Sequence, residues 1–267
     1  MDINDYAEKN RAAWNEAAPY HQKHRKVDYY EAFKDPAFSV LKTLEVQELE
    51  KIGLTGKQIA HLCCNNGVEL ISMLRLGAAH GTGFDISDAF IEEARKLAEI
   101  AGVSCDFVRT DVLEIPAEYD GQYDLVVFTI GALTWIKDLP ALFGVARRLL
   151  KPGGALFVYE MHPVLNLFAV EGEPQFDPHD ELKIAFPYFN NQPWVSTDGL
   201  DYIGGTLYEG KESVCFAHTF SDILSAVIES GFILTGFREF PQDISMAFAH
   251  LEKFNKIPMS YLLTART

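Results

Sequence analysis

The side chains able to do chemistry fall into a few short stretches. In Gly83-Phe84-Asp85-Ile86-Ser87 a carboxylate directly follows a short strand-like run. One carboxylate accepts two parallel hydrogen bonds, so Asp85 suits a pair of adjacent hydroxyls on a ligand. Its competing role is to help start a helix ahead of Ser87. In His61-Leu62-Cys63-Cys64-Asn65-Asn66-Gly67 an imidazole and two thiols stand close together. Alternation along an extended chain sends Cys64 to the opposite face, which favours structural thiols over a zinc site, and no metal is expected. Asn65 tolerates the left-handed backbone better than almost any residue except glycine, so Asn65 and Gly67 permit a tight turn. Asp111, in Thr110-Asp111-Val112, is either a ligand contact or a plain turn residue. His162, just past Tyr159-Glu160, is a candidate general base, set against a structural histidine held before Pro163.

The elements that must carry these residues are read from periodicity. Helices are predicted over Tyr6 to His21 and Pro36 to Ile52. Short strands are predicted over residues 59–64, 80–85, 105–109, 123–129 and 155–160. Helices are predicted between them, over 68–76, 88–100 and 139–150. Ser87 and Asp88 cap the helix that follows Asp85, and Lys151-Pro152-Gly153-Gly154 ends the last one. A helix over 219–230 and strands over 232–240 and 259–265 complete the pattern. Alternation of this kind builds an α/β fold with a doubly wound, mostly parallel seven-stranded sheet, whose ligands sit at the carboxyl ends of the strands. The candidate residues lie at those ends. Residues 163–218 break the rhythm with aromatics, prolines and glycines, and read as an inserted cap of irregular strands. The expected organisation is a helical cover (1–57), a core (58–162 and 219–267) and the cap (163–218) within one domain.

Composition narrows the class. The net charge of −15 repels a phosphate backbone, and the dense basic run His21-Gln22-Lys23-His24-Arg25-Lys26 reads as a solvated helix end, so no nucleic-acid partner is expected. The longest apolar stretch, Leu125 to Ile136, carries two threonines and is too short to span a bilayer. Four cysteines without a C-x-x-C pair, behind a polar, acidic Met1-Asp2-Ile3-Asn4-Asp5, suggest reduced thiols in a cytoplasmic, soluble protein.

Together these stretches resemble the class I S-adenosylmethionine-dependent methyltransferases over roughly residues 58–160 and 219–267. That family has an acid and then a G-x-G-x-G loop after its first strand. Here His61 takes the place of the acid, Cys63 and Asn65 take the places of the first two glycines, and Gly67 is retained. The resemblance implies a Rossmann-like sheet with an antiparallel last strand, and S-adenosylmethionine as cofactor. It gives Asp85 the ribose, Ile86 the adenine face, and Asp111 with Val112 the adenine amino group. Thr129 would pass the sulfonium, and Trp14 and Tyr20 on the first helix would cover the cofactor. Trp135, Tyr188, Trp194 and His218 are the expected walls of the acceptor pocket. The implied reaction is in-line methyl transfer to a small-molecule acceptor, and the aromatic insertion is either a lid or a homodimer interface. Two alternatives stand beside it. One is a non-catalytic S-adenosylmethionine-binding or regulatory protein, suggested by the altered first loop. The other is a nicotinamide-dependent oxidoreductase, which lacks its G-x-G-x-x-G here and does not fit the carboxy-terminal hairpin.

Overall fold

The computed structural model describes residues 5–267; Met1–Asn4, part of the polar, acidic segment named above, lie outside the described residues. In chain order come α1 (Tyr6–His24), α2 (Tyr29–Ala32), α3 (Thr43–Ile52), β1 (Gln58–Leu62), α4 (Val68–Arg75), β2 (His80–Asp85), α5 (Asp88–Ala101), β3 (Cys105–Arg109), β4 (Tyr123–Phe128), α6 (Leu139–Leu149) and β5 (Leu150–Met161). Then follow β6 (Trp194–Ser196), β7 (Ser213–Cys215), α7 (Phe220–Glu229), β8 (Ile233–Phe240), α8 (Ala249–Glu252) and β9 (Ser260–Arg266).

Seven strands form one sheet in the order β3-β2-β1-β4-β5-β9-β8. The first five are parallel, and β9 runs antiparallel between β5 and β8. Side chains alternate across it as strand geometry requires. Val126 and Phe128 of β4 join the core under α6 and α7, whereas Leu125 and Val127 join the core under α3, α4 and α5. Both faces are therefore covered, and this is why the Leu-Val-Val-Phe run is apolar throughout.

The helix expected from Pro36 begins only at Thr43, and α2 was not anticipated. Two local causes are visible. The Asp28 carboxylate accepts the N–H groups of Tyr30 and Glu31, which starts α2. The Arg75 guanidinium donates to the carbonyls of Phe33, Asp35 and Phe38, at 2.7, 2.8 and 2.6 Å, and so holds that backbone outside a helix. Strand β5 also starts earlier than expected, with the Pro-Gly segment forming a register shift against β4 rather than a separate turn.

The insertion is tied down at both ends. Leu165 and Phe168 pack with Phe248, Leu251 and Met259 of the β8–β9 connection. Strands β6 and β7 form a two-stranded antiparallel ribbon that lies along α1. Asn10 of α1, buried, donates to the Val214 carbonyl (2.8 Å) and accepts the Val214 N–H (2.7 Å). Tyr20 stacks on Tyr208 with centroids 4.4 Å apart, and His24 meets the buried Asp201 at 2.7 Å.

Candidate active site

The carboxyl ends of β1 to β4 open into a cavity of about 530 Å³, within the usual range for a small-ligand site. Its floor is the loop after β1. Cys63, Asn65 and Gly67 all have positive φ (55°, 49° and 72°), so two non-glycine residues adopt the backbone that glycines would take most easily. Asn65 bears this well, its side-chain oxygen accepting the Asn66 N–H at 2.8 Å. Gly67 serves packing instead of lining the cavity: a Cβ there would stand 2.3 Å from the Phe107 ring.

Asp85 ties this floor to β2. One carboxylate oxygen accepts the Asn65 N–H (2.8 Å) and the other the Ser87 N–H (2.9 Å). A carboxylate has about four acceptor positions, so beside the Ser87, Asn65 and Ile86 N–H groups it can still receive a hydroxyl from the cavity. Burial pushes its pKa up, and the N–H groups of Ser87 and Asn65 oppose that shift. Beside it, Ile86 and the buried Val112 give apolar walls, and Asp111 lines the same end while accepting the Leu113 N–H. Ser87 caps α5 through the Phe90 N–H.

At the next strand end, Thr129 lines the cavity and its hydroxyl meets His61 Nε2 at 2.8 Å. His61 is fully buried and its pKa falls to about 3, so this imidazole is neutral. Glu160, at the end of β5, accepts the N–H groups of Gly131 (2.7 Å), Leu133 (3.0 Å) and Met161 (3.2 Å), and so fixes the loop that follows β4. Burial raises its pKa to about 7.

The roof is α1 with the insertion. Arg11 pairs with Asp88 at 2.7 Å, and the Asn15 side-chain oxygen accepts the Ser87 hydroxyl and the Ala89 N–H, so α1 is docked on the start of α5. Trp14 stands at the centre of an aromatic cluster, 5.1 Å from Trp135, 6.0 Å from Phe90 and 6.4 Å from Tyr202 between centroids. The basic run read as a solvated helix end divides here. Lys23 and Lys26 are exposed, but His21 is buried with Nε2 on the Leu200 carbonyl (2.7 Å), and Arg25 is buried in an ion pair with Glu93.

A family model of the methyltransferase domain matches residues 59–154. A ubiquinone biosynthesis O-methyltransferase of Pseudomonas aeruginosa is 32% identical over 125 residues, which cover 46% of this chain and 53% of that protein. The protein of the same name in Escherichia coli is 35% identical over 105 residues, 39% of this chain and 43% of that one. The chain thus matches about half the length of these curated relatives. Residues 59–154 carry a methyltransferase domain, in line with the resemblance to the class I S-adenosylmethionine-dependent methyltransferases. The fold of the chain is also that of an S-adenosylmethionine dependent methyltransferase from Mesorhizobium loti (TM-score 0.60, 23% identity, covering 84% of this chain and 97% of that one). A geranyl diphosphate C-methyltransferase from Streptomyces coelicolor A3(2) has the same fold (TM-score 0.61, 15% identity, 98% and 97%).

The structure gathers Trp14, Cys63, Asn65, Asp85, Ile86, Asp111, Val112, Thr129 and Trp135, all anticipated from sequence, around one cavity. The other anticipated residues stand outside its lining. Tyr20 is spent on Tyr208. The Tyr188 hydroxyl accepts the Phe220 N–H (2.9 Å), and Trp194 sits in the β6–β7 ribbon beside Phe186. His218 bonds the Ile136 carbonyl (2.8 Å). His162 has both ring nitrogens occupied: Nδ1 accepts the Val164 N–H (3.1 Å) and Nε2 meets Glu239 (2.9 Å). It borders a separate small cavity of about 40 Å³ with His218 and Tyr261 and does not line the main one. The insertion reaches the main cavity through Leu200, Tyr202 and Ile203, joined by Ile244 and Met246 from the β8–β9 connection. Neither Glu160 nor Glu69, which also lines the cavity, was singled out from sequence. A carboxylate closing an otherwise apolar strand is the signal that marks Glu160.

The residues present fit the family's cofactor. A carboxylate, Asp85, lines the cavity together with the apolar side chains of Ile86 and Val112, and the loop at Cys63 and Asn65, turned through positive φ, lines it too.

Proposed function

We propose that this chain transfers a methyl group from S-adenosylmethionine to a small-molecule acceptor. The observation that carries this reading is the roofed cavity at the carboxyl ends of β1 to β4, with Asp85, Asp111 and Glu69 in its lining and its one arginine, Arg25, neutralised by Glu93. Such a cavity favours a cation over a pyrophosphate. This supports a sulfonium ligand over a nicotinamide dinucleotide, as does the antiparallel β9.

When bound, S-adenosylmethionine supplies a methyl group on a cationic sulfur that leaves by in-line displacement. The chain's own tasks are then binding, alignment and exclusion of water. Asp85 would hold the ribose hydroxyls, with Ile86 and Val112 as apolar walls for the adenine and Asp111 for its amino group. Trp14, Trp135 and Tyr202 present aromatic surface that excludes water and favours positive charge. The His61–Thr129 bond and the Glu160 contacts keep the sulfonium side of the floor rigid. The acceptor enters between the insertion (Leu200, Tyr202, Ile203) and the β8–β9 connection (Ile244, Met246). We retain the division into helical cover, core and inserted cap; the Asn10–Val214 contact supports treating cover and cap as one roof.

No nucleic-acid partner is proposed, given the net charge of −15. No described helix is long and apolar enough to cross a membrane. The four free cysteines, all with pKa values raised by burial, suit a reducing cytoplasm. A homodimer would use the open edge at β8, where Ile233, Leu234 and Phe237 are exposed. The test is release of S-adenosylhomocysteine when the protein and S-adenosylmethionine are incubated with fractionated small-molecule metabolites. Release that depends on one fraction supports transfer; release from none, with cofactor bound, supports the non-catalytic reading instead.

A further inference from the structure

The altered floor raises a question of charge. An amino-acid end carries an α-ammonium that needs a carboxylate or carbonyl oxygens. In this chain the position where relatives place an acid holds His61, which is buried, neutral and committed to Thr129. His61 is absent from the cavity lining, so it offers that ammonium nothing.

Glu69 does line the cavity. It stands in the first turn of α4, directly after the turned loop, and its side chain is half-buried. Its hydrogen bond is to its own backbone N–H, and among the described residues it has no ion pair. The groups facing it are Tyr29 after α1, Tyr202 of the insertion, Cys64 of the floor and Glu45 of α3, all of which feel or impose a charge with it. None of them is a cation. Arg25, which shares this end of the cavity, is turned to Glu93.

We infer that Glu69 binds the α-ammonium of the cofactor's amino-acid end, taking over from the acid that this chain lacks at His61. The inference rests on the cofactor reading above. Burial raises the Glu69 pKa to about 7, so without a cation beside it the carboxyl is partly protonated near neutrality, and an arriving ammonium would draw that proton off. The position also explains how the chain accepts a neutral histidine at the strand end: the charge has moved from the end of β1 to the start of the next helix.

The experiment is calorimetric titration of the whole protein with two ligands, S-adenosylhomocysteine and 5′-methylthioadenosine, which keeps the nucleoside and lacks the amino-acid end. In Glu69→Gln, S-adenosylhomocysteine is expected to bind about ten- to a hundredfold more weakly, the scale of one charge-assisted hydrogen bond, with 5′-methylthioadenosine unchanged. Unchanged affinity for S-adenosylhomocysteine, or an equal loss for both ligands, overturns the inference. If the wild type binds neither ligand, the cofactor reading itself fails. A second readout uses the wild type alone, in two buffers of different ionisation enthalpy at pH 7. Binding of S-adenosylhomocysteine should release up to about half a proton more than binding of 5′-methylthioadenosine. Equal release for the two ligands overturns the inference even if the variant does not fold.

Discussion

Asn10 is one of several α1 side chains that join the two halves of the roof, and the one whose removal strips partners from buried backbone groups of β7. Its amide satisfies both backbone groups of Val214, at 2.8 and 2.7 Å, in a place where Asn10 is 3% exposed and Val214 4%. Asn10→Ala leaves a buried N–H and a buried C=O without partners. At about 1–3 kcal/mol each, the loss is about 2–6 kcal/mol if β7 stays in place, and less if it swings out to water. Asn10→Asp keeps the acceptor, loses the donor and sets a charge against a carbonyl, so it should be no better. The assays are urea unfolding and hydrogen exchange at the Val214 amide, followed by titration with S-adenosylhomocysteine. A loss of exchange protection at residues 213–215 is expected, together with weaker cofactor binding, because binding would then have to reorder the roof. Wild-type protection at Val214 with a stability change below about 0.5 kcal/mol would refute the view that this contact holds the insertion to α1.

Further outcomes follow from the site. His162→Gln should lower stability by about 1–2 kcal/mol and leave turnover and its pH dependence unchanged, since its nitrogens are already bonded; a fall in turnover at normal stability would restore it as a base. Glu160 has a folded pKa of about 7 against an ordinary 4.5, so its contribution to stability is complete below pH 4.5 and is lost as pH rises to 7. Glu160→Gln should flatten the stability profile over that window in denaturation series, and an unchanged slope would argue against the shift. Tyr202→Ala should impair acceptor turnover while Phe189→Ala, at a residue 81% exposed, leaves it intact; the reverse pattern would move the acceptor site.

The sheet was legible because its punctuation is local. Residues 80–85 and 105–109 were bounded correctly by Gly77, Ser87 and Gly102, and α5 began where Ser87 could cap it. The antiparallel last strand followed from the resemblance and is present as β9 between β5 and β8. The errors come from partners distant in sequence. Nothing near Pro36 reveals that Arg75 will claim three carbonyls there. The aromatics of the insertion looked alike, yet only Tyr202 reaches the cavity, because the Asn10–Val214 and Tyr20–Tyr208 contacts decide how the ribbon lies. Arg25 read as solvated because Glu93, its counter-ion, is on another helix. Motif positions at strand ends are fixed by topology and line the cavity; the places of side chains set by tertiary contacts, Glu160, Glu69 and His21 among them, were not legible.

The most direct test of the cofactor site is calorimetric titration of S-adenosylhomocysteine into the wild type and Asp85→Ala. Asp85 holds the Asn65 and Ser87 amides as well as facing the cavity, so its loss should both open the floor and remove the ribose acceptor. Binding by the wild type and a loss of at least about ten- to a hundredfold in the variant is the expected result. Wild-type affinity in Asp85→Ala, or no binding by either protein, would contradict it.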